Sequence, residues 1–182
     1  PSDLTELYRS DLGLPYEPSG SRITDMMLGQ LSHELPGGLL PITTWSDPTM
    51  GVDPGSRFHY RVSANDHLGK LHVIAMGSVG SWAELDGVMS SYHVRQCVVD
   101  AMPELHAAQE FAARHEGRVL RAFYPQASAM NGQLCRVDED KGVVQINRTM
   151  AMDRVYANVA GAKERWPAEI HGNHEVMAHM KA

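Results

Sequence analysis

Residues 57 to 78, RFHYRVSANDHLGKLHVIAMGS, decide the fold class of this 182-residue chain. In RFHYRVS, Phe58, Tyr60 and Val62 alternate with polar residues, which predicts a half-buried strand over 57–63. The following ANDHLG has the composition of a turn, and KLHVIAMGS predicts a second, more apolar strand over 70–78. Two such strands joined by a short turn indicate a β-hairpin.

The rest of the chain alternates between helical and strand patterns around this hairpin. Apolar spacing predicts helices over 2–12, 22–35, 82–100, 103–116, 152–165 and 168–180. Residues 118–125 predict another strand, and 133–137 with 142–149 predict a second hairpin. We therefore expect an α+β fold with an antiparallel or mixed sheet of about five strands, including two hairpins, and helices packed mainly on one face.

A long segment rich in proline and glycine covers residues 36 to 56 and predicts a loop. Its apolar residues, among them Trp45 and Met50, indicate that it packs on the protein. No linker separates two parts of the chain, so residues 1–182 are expected to form a single α+β domain.

Composition and charge limit the classes of partner that we expect. The net charge is −6 and the basic residues are scattered, which predicts no nucleic acid partner and no membrane partner. Only two cysteines are present and residues 2–12 lack the features of a signal peptide, which favours a reduced, cytoplasmic protein.

The strongest candidate for chemistry is a stripe on the predicted helix 82–100. At 100° per residue, one narrow stripe of that helix contains Asp86, His93, Cys97 and Asp100. A His beside carboxylates is suited to general acid–base catalysis, so we predict His93 as the acid–base group, oriented by Asp86 or Asp100. Cys97 would be a thiolate or a metal ligand in the same stripe. A solvated stripe or a subunit interface is the structural alternative.

The first hairpin supplies candidate substrate contacts. His59 and His72 lie on its two strands, and Arg61 shares a strand face with His59. Tyr124, at the end of its strand, is expected in the same cavity, and Ser81 is a candidate helix N-cap beside a turn that favours an anion. If these surfaces face water, the residues are ordinary exposed polar groups.

No motif names a reaction, and Gly77 and Gly80 do not have the spacing of a nucleotide-binding loop. We therefore predict a small-molecule enzyme of the isomerase, lyase or hydratase type, without a nucleotide cofactor and as a homo-oligomer. One alternative is a non-catalytic binding protein for heme or an apolar ligand, based on the eleven methionines. Another is a dimerising interaction module that uses Val94 and Val98. No cofactor is predicted, and heme or a divalent metal remains an alternative.

Overall fold

The computed structural model describes residues 23–33, 45–168 and 173–181. The predicted helix over 2–12 and residues 36–44 of the predicted loop lie outside the described residues. Among the described helices, none is both long and apolar enough to cross a membrane.

Strands and helices are interspersed along the described part of the chain. The strands are β1 (Ser32–His33), β2 (Ser46–Asp53), β3 (Phe58–Asn65), β4 (Leu71–Val79), β5 (Gln96–Asp100), β6 (Val119–Phe123), β7 (Cys135–Asp138), β8 (Val143–Ile146) and β9 (Trp166–Pro167). The α-helices are α1 (Asp25–Leu31), α2 (Trp82–Ser91), α3 (Leu105–Arg114), α4 (Arg148–Ala160) and α5 (His174–Lys181), and a 3₁₀ helix spans Ala127–Met130.

Seven strands form one mixed sheet in the order β4-β3-β2-β5-β6-β8-β7, and β1 pairs with β9 in a separate two-stranded sheet. The strands β2, β3 and β4 are antiparallel neighbours, whereas β5, β6 and β8 run parallel to β2. The α+β class, the mixed sheet and both predicted hairpins, β3–β4 and β7–β8, are confirmed. The main sheet is larger than predicted, because it has seven strands and not about five.

The two neighbouring strands β2 and β5, in the middle part of the sheet, were not predicted from the sequence. The strand β2 lies within the segment predicted as a loop, where Met50 and Val52 are buried between exposed residues. Pro48 and Gly51 hide this alternation, because both residues are depleted in strands.

The strand β5 lies within the predicted helix 82–100, which is wrong beyond Ser91. The helix ends there and His93 has a φ of 50°, in the left-handed region, so the chain turns. The valines of QCVVD then continue as a strand because β-branched side chains fit an extended backbone.

The core occupies both faces of the main sheet. On one face, Met50, Val62 and Cys97 pack with Leu85 and Met89 of α2, and Phe111 of α3 belongs to the same cluster. On the other face, a smaller cluster contains residues from α1, β4, α4 and β9: Leu28, Leu31, Val73, Val159 and Trp166. Helices therefore cover both faces and not mainly one, because crossovers between parallel strands place helices on the faces of a sheet.

A polar network joins α2 to the end of α3. Asp86 Oδ1 lies 2.6 Å from His115 Nε2, and Asp86 Oδ2 accepts a hydrogen bond from Arg114 Nε at 3.0 Å. His115 is buried, and its other ring nitrogen lies 3.0 Å from the guanidinium of Arg118. Asp86, predicted as an orienting residue for His93, therefore contacts His115 instead.

We expect Asp86→Ala to lower the free energy of unfolding by about 1–3 kcal/mol, because a buried ring nitrogen of His115 loses its partner. Urea denaturation followed by circular dichroism measures this. Asp140→Ala, an exposed carboxylate in the β7–β8 turn, is the control and should change stability by less than about 0.5 kcal/mol. Equal stability of the two variants would contradict this role for Asp86.

The turn between β3 and β4 is organised by Asp66. Its Oδ1 accepts hydrogen bonds from the backbone N–H groups of Leu68 and Lys70, both at 2.9 Å. Its Oδ2 lies 2.9 Å from Nε2 of the buried His72. These contacts, that with the Lys70 N–H foremost, lower the pKa of Asp66 to about 2.

This lowered pKa predicts a specific loss of stability in acid. Because the folded-state pKa lies below the unfolded-state value, the carboxylate of Asp66 stabilises the fold fully above about pH 4. That contribution disappears as the pH falls towards 2. Thermal unfolding of the wild type and Asp66→Asn should therefore differ at pH 5 and converge near pH 2. A difference that stays constant over this range would refute the assignment.

Candidate active site

The strands β2 and β5 are parallel neighbours, and the connections that follow them lead to opposite sides of the sheet. After β2 the chain returns as β3 on one side, and after β5 it crosses through α3 to β6 on the other side. In sheets of this kind, the carboxyl ends of two strands with diverging connections border a crevice in which ligands bind. The last residues of β2 and β5 therefore border the expected crevice.

Those last residues are Asp53 and Asp100. The register pairs Val52 with Val99, so the two aspartates follow as the next neighbours on strands that lie about 4.8 Å apart. Val52 and Val99 point into the core, and the alternation of side chains along a strand turns both aspartates towards the opposite face. Two carboxylates thus stand side by side at the edge of the sheet.

Tyr124 and Arg148 adjoin this pair of carboxylates. Tyr124 follows β6, and its pKa is raised first by burial, then by the negative charge of Asp100, with a smaller contribution from Asp53. The positive charge of Arg148 acts on the pKa of Tyr124 in the opposite direction. The guanidinium carbon of Arg148, the first residue of α4, lies 5.6 Å from the centre of the Tyr124 ring.

Asp100 and Asp53 belong to a row of polar residues on one sheet face, and this row continues beyond Asp53 across the antiparallel strands β3 and β4. Asp53 pairs with His59, and His59 pairs with Ser78. Arg57 donates from Nε to the hydroxyl of Ser78 at 2.8 Å, and this hydroxyl donates to Glu175 of α5 at 2.8 Å. Arginine side chains therefore stand towards both ends of the row that contains the two carboxylates.

The donor set at the centre of the row fits a hard divalent cation. Carboxylate oxygens are the preferred protein ligands of Mg²⁺, which is commonly held by one or two carboxylates, with water and substrate phosphates completing its coordination. Asp100 Oδ1 accepts the backbone N–H of Met102 at 3.0 Å, which fixes this side chain. Within 23–33, 45–168 and 173–181 no group of three or more His, Cys, Asp or Glu side chains forms a metal site.

The stripe predicted on the helix 82–100 does not form, so its four residues are not brought together. Asp86 contacts His115, and His93 is exposed in the turn after α2. Cys97 is fully buried in the core, and this burial raises the pKa of its thiol to about 12, which does not suit a thiolate. Of these four residues, only Asp100 lies at the carboxyl-terminal end of a central strand, next to Asp53.

The predicted substrate contacts are also dispersed. His59 and Tyr124 lie near the two aspartates, whereas Arg61 is further down the same sheet face. His72 is buried against Trp45 and Asp66. Ser81 is the N-cap of α2, as its spacing predicts, and accepts the N–H of Glu84 at 3.2 Å. Their roles in binding remain predictions.

Sequence reasoning missed Asp53 and Arg148. The signal for Asp53 was its position at the end of the alternating stretch TMGVD, directly before Pro54 and Gly55. For Arg148 the signal was the preceding Asn147, a residue type favoured at helix N-caps, which the prediction of a strand over 142–149 passed over.

No family model and no curated protein matches this sequence. Among solved structures, it is similar to the bacteriophage HK97 large terminase, with 9% identity, a TM-score of 0.48 and coverage of 79% of this chain. The human cytomegalovirus terminase nuclease domain, soaked with Mn, has 9% identity and a TM-score of 0.43 and covers 81% of this chain and 76% of its own. The yeast mitochondrial Holliday junction resolvase has 12% identity and a TM-score of 0.35, with coverages of 79% and 72%. This chain spans 33% of the HK97 chain.

This finding corrects three expectations from the sequence. The similar structures are two terminase proteins and a resolvase, so the expectation of a small-molecule isomerase, lyase or hydratase is wrong. The expectations of a small-molecule substrate and of no nucleic acid partner are corrected on the same ground. A net charge sums over the whole surface and does not describe the local arrangement at one edge of a sheet.

The proximity of Asp100 to Tyr124 predicts a change in pKa. Asp100→Asn removes a negative charge that disfavours the phenolate, so the pKa of Tyr124 should fall. NMR titration of ring-labelled tyrosine measures this, with Tyr124→Phe used to assign the signal. Asp138→Asn, at the distant end of the β7–β8 hairpin, should leave the value unchanged. An unchanged pKa in Asp100→Asn would show that the two side chains are not neighbours.

Proposed function

We propose that this chain is a nuclease domain that cleaves phosphodiester bonds with a divalent metal ion bound by Asp53 and Asp100. The observation that carries this proposal is the position of the two carboxylates, adjacent and on one face at the diverging ends of β2 and β5. Two neighbouring carboxylates offer oxygen ligands of the kind that Mg²⁺ and similar divalent ions prefer.

The metal supplies the Lewis acid chemistry of the reaction when it is bound. The two aspartates hold it at the exposed edge of the sheet, where a long polymer can approach from solvent. A site with few protein ligands leaves coordination positions for the phosphate of the substrate, as is common for Mg²⁺.

Tyr124 and Arg148 are suited to binding that phosphate. The phenol of Tyr124 is protonated at neutral pH, as burial only raises its pKa further, and it is suited to donate a hydrogen bond to a phosphate oxygen. Arg148 supplies a positive charge from the first turn of α4, where the helix dipole also favours an anion. These contacts recognise the backbone and not the sequence of a nucleic acid.

Both carboxylates are therefore required in this proposal. We expect Asp53→Asn and Asp100→Asn each to lower Mn²⁺-dependent cleavage of DNA at least about 100-fold, since each removes part of the metal site. Calorimetry should show weaker Mn²⁺ binding by each variant. Asp140→Asn is the matched control and should retain both DNA cleavage and Mn²⁺ binding. Cleavage at the wild-type rate by both variants would overturn the proposal.

A further inference from the structure

A pocket of about 310 Å³ opens on the same sheet face as the two aspartates. It lies between the strands β2, β3 and β4 and the helix α4, and its lining contains polar and apolar side chains: Thr49, Gly51, Arg61, Ser63, Leu71, Val155, Asn158 and Glu164. Thr49, Gly51 and Asp53 are alternate residues of β2 and share this face. The pocket therefore begins two residues, about 6.6 Å, from the candidate metal ligand Asp53.

Gly51 provides the open space at the floor of the pocket. A Cβ atom built on Gly51 would meet no atom within 4 Å, and its backbone is that of an ordinary strand residue. A larger side chain at this position would fit the backbone and occupy the cavity. The pocket can thus be closed by one substitution that does not strain the sheet.

The charges within the pocket cancel each other. Arg61 donates from its guanidinium to Glu164, whose side chain is 3% exposed, and from Nε to the Ser63 hydroxyl at 3.1 Å. The other carboxylate oxygen of Glu164 accepts the indole N–H of Trp166 at 3.0 Å. Because this ion pair is already matched, the pocket does not favour a phosphate or another free anion.

The remaining groups are suited to a neutral, flat heterocycle. Ser63 accepts a hydrogen bond from Arg61 and retains its own O–H as a donor, while Asn158 carries both a donor and an acceptor. Leu71 and Val155 provide apolar surface for the faces of a ring. A largely apolar cavity with a few polar groups at its edges is the usual form of a small-molecule pocket, and 310 Å³ is at the small end of the range.

We propose that this pocket accepts one nucleobase, extruded from the nucleic acid strand whose backbone lies at Asp53 and Asp100. The origin of the base in a bound strand rests on the proposed function, whereas the recognition of a base by the pocket does not. Enzymes that act on nucleic acids read extruded bases by hydrogen bonds to their edges and by contacts with their faces. The pocket would make cleavage dependent on the base near the cut.

The binding of free nucleosides tests the pocket without a metal or a phosphate. We expect adenosine, guanosine, cytidine or thymidine at millimolar concentration to give saturable NMR shifts of the Asn158 amide and Val155 methyl signals. Asp53→Asn should retain these shifts, because it does not line the pocket. Gly51→Val should abolish them, and valine is a favourable strand residue. Asn158→Ala should weaken binding about tenfold, by loss of one hydrogen bond.

Several outcomes would overturn the proposal. One is the absence of saturable shifts with all four nucleosides in the wild type, and another is unchanged binding by both Gly51→Val and Asn158→Ala. Single-stranded DNA with 2-aminopurine should gain fluorescence on binding the wild type but not Gly51→Val, and an equal gain would refute extrusion into this pocket. If Asp53→Asn and Asp100→Asn retain cleavage while nucleosides still bind, the proposed function fails and the base pocket stands.

Discussion

The parallel pairing of β2 with β5 is the interaction on which the rest of the structure depends. It joins the antiparallel strands β2, β3 and β4 to the parallel strands β5, β6 and β8 in one sheet. It also aligns Met50 with Cys97 and Val52 with Val99, so that buried side chains of both parts form one continuous core beneath α2 and α3. Without this pairing each part would expose an unpaired strand edge and half of an apolar face. The same register brings Asp53 beside Asp100.

The two faces of the sheet consequently differ in polarity and in how completely they are covered. The face covered by α2 and α3 is apolar, and it contains the largest cluster of buried side chains. The opposite face is partly covered by α1, α4 and β9, and carries polar groups between them. There the matched pair of Arg61 and Glu164 is sheltered, whereas the carboxylates of Asp53 and Asp100 stand at the edge where solvent and ions reach them. The largest apolar cluster and the candidate metal ligands therefore lie on opposite faces of the same sheet.

The sequence predicts what depends on neighbouring residues. Both hairpins were predicted because alternation and turn composition are local signals. The strands β2 and β5 were not, because Pro48 and Gly51 interrupt the pattern of β2, and because Val94, Val98 and Val99 fit a helical count as well as a strand. Asp100 was selected, but on a helical stripe that does not exist. Its neighbour Asp53 was not, because the proximity of two residues on parallel strands arises from pairing across a long connection and leaves no local signal.

The register of β2 against β5 has a further consequence for how this chain can vary. The 42 residues between Asp53 and Gln96 pass through a hairpin and a helix, and turns within them can change in length without moving either aspartate. A change of one residue within β2 or β5 is different, because it turns every later side chain of that strand to the opposite face. One carboxylate would then enter the core and the other would stand alone. The turns of the chain between β2 and β5 can therefore vary in length while the register that places Asp53 beside Asp100 is kept.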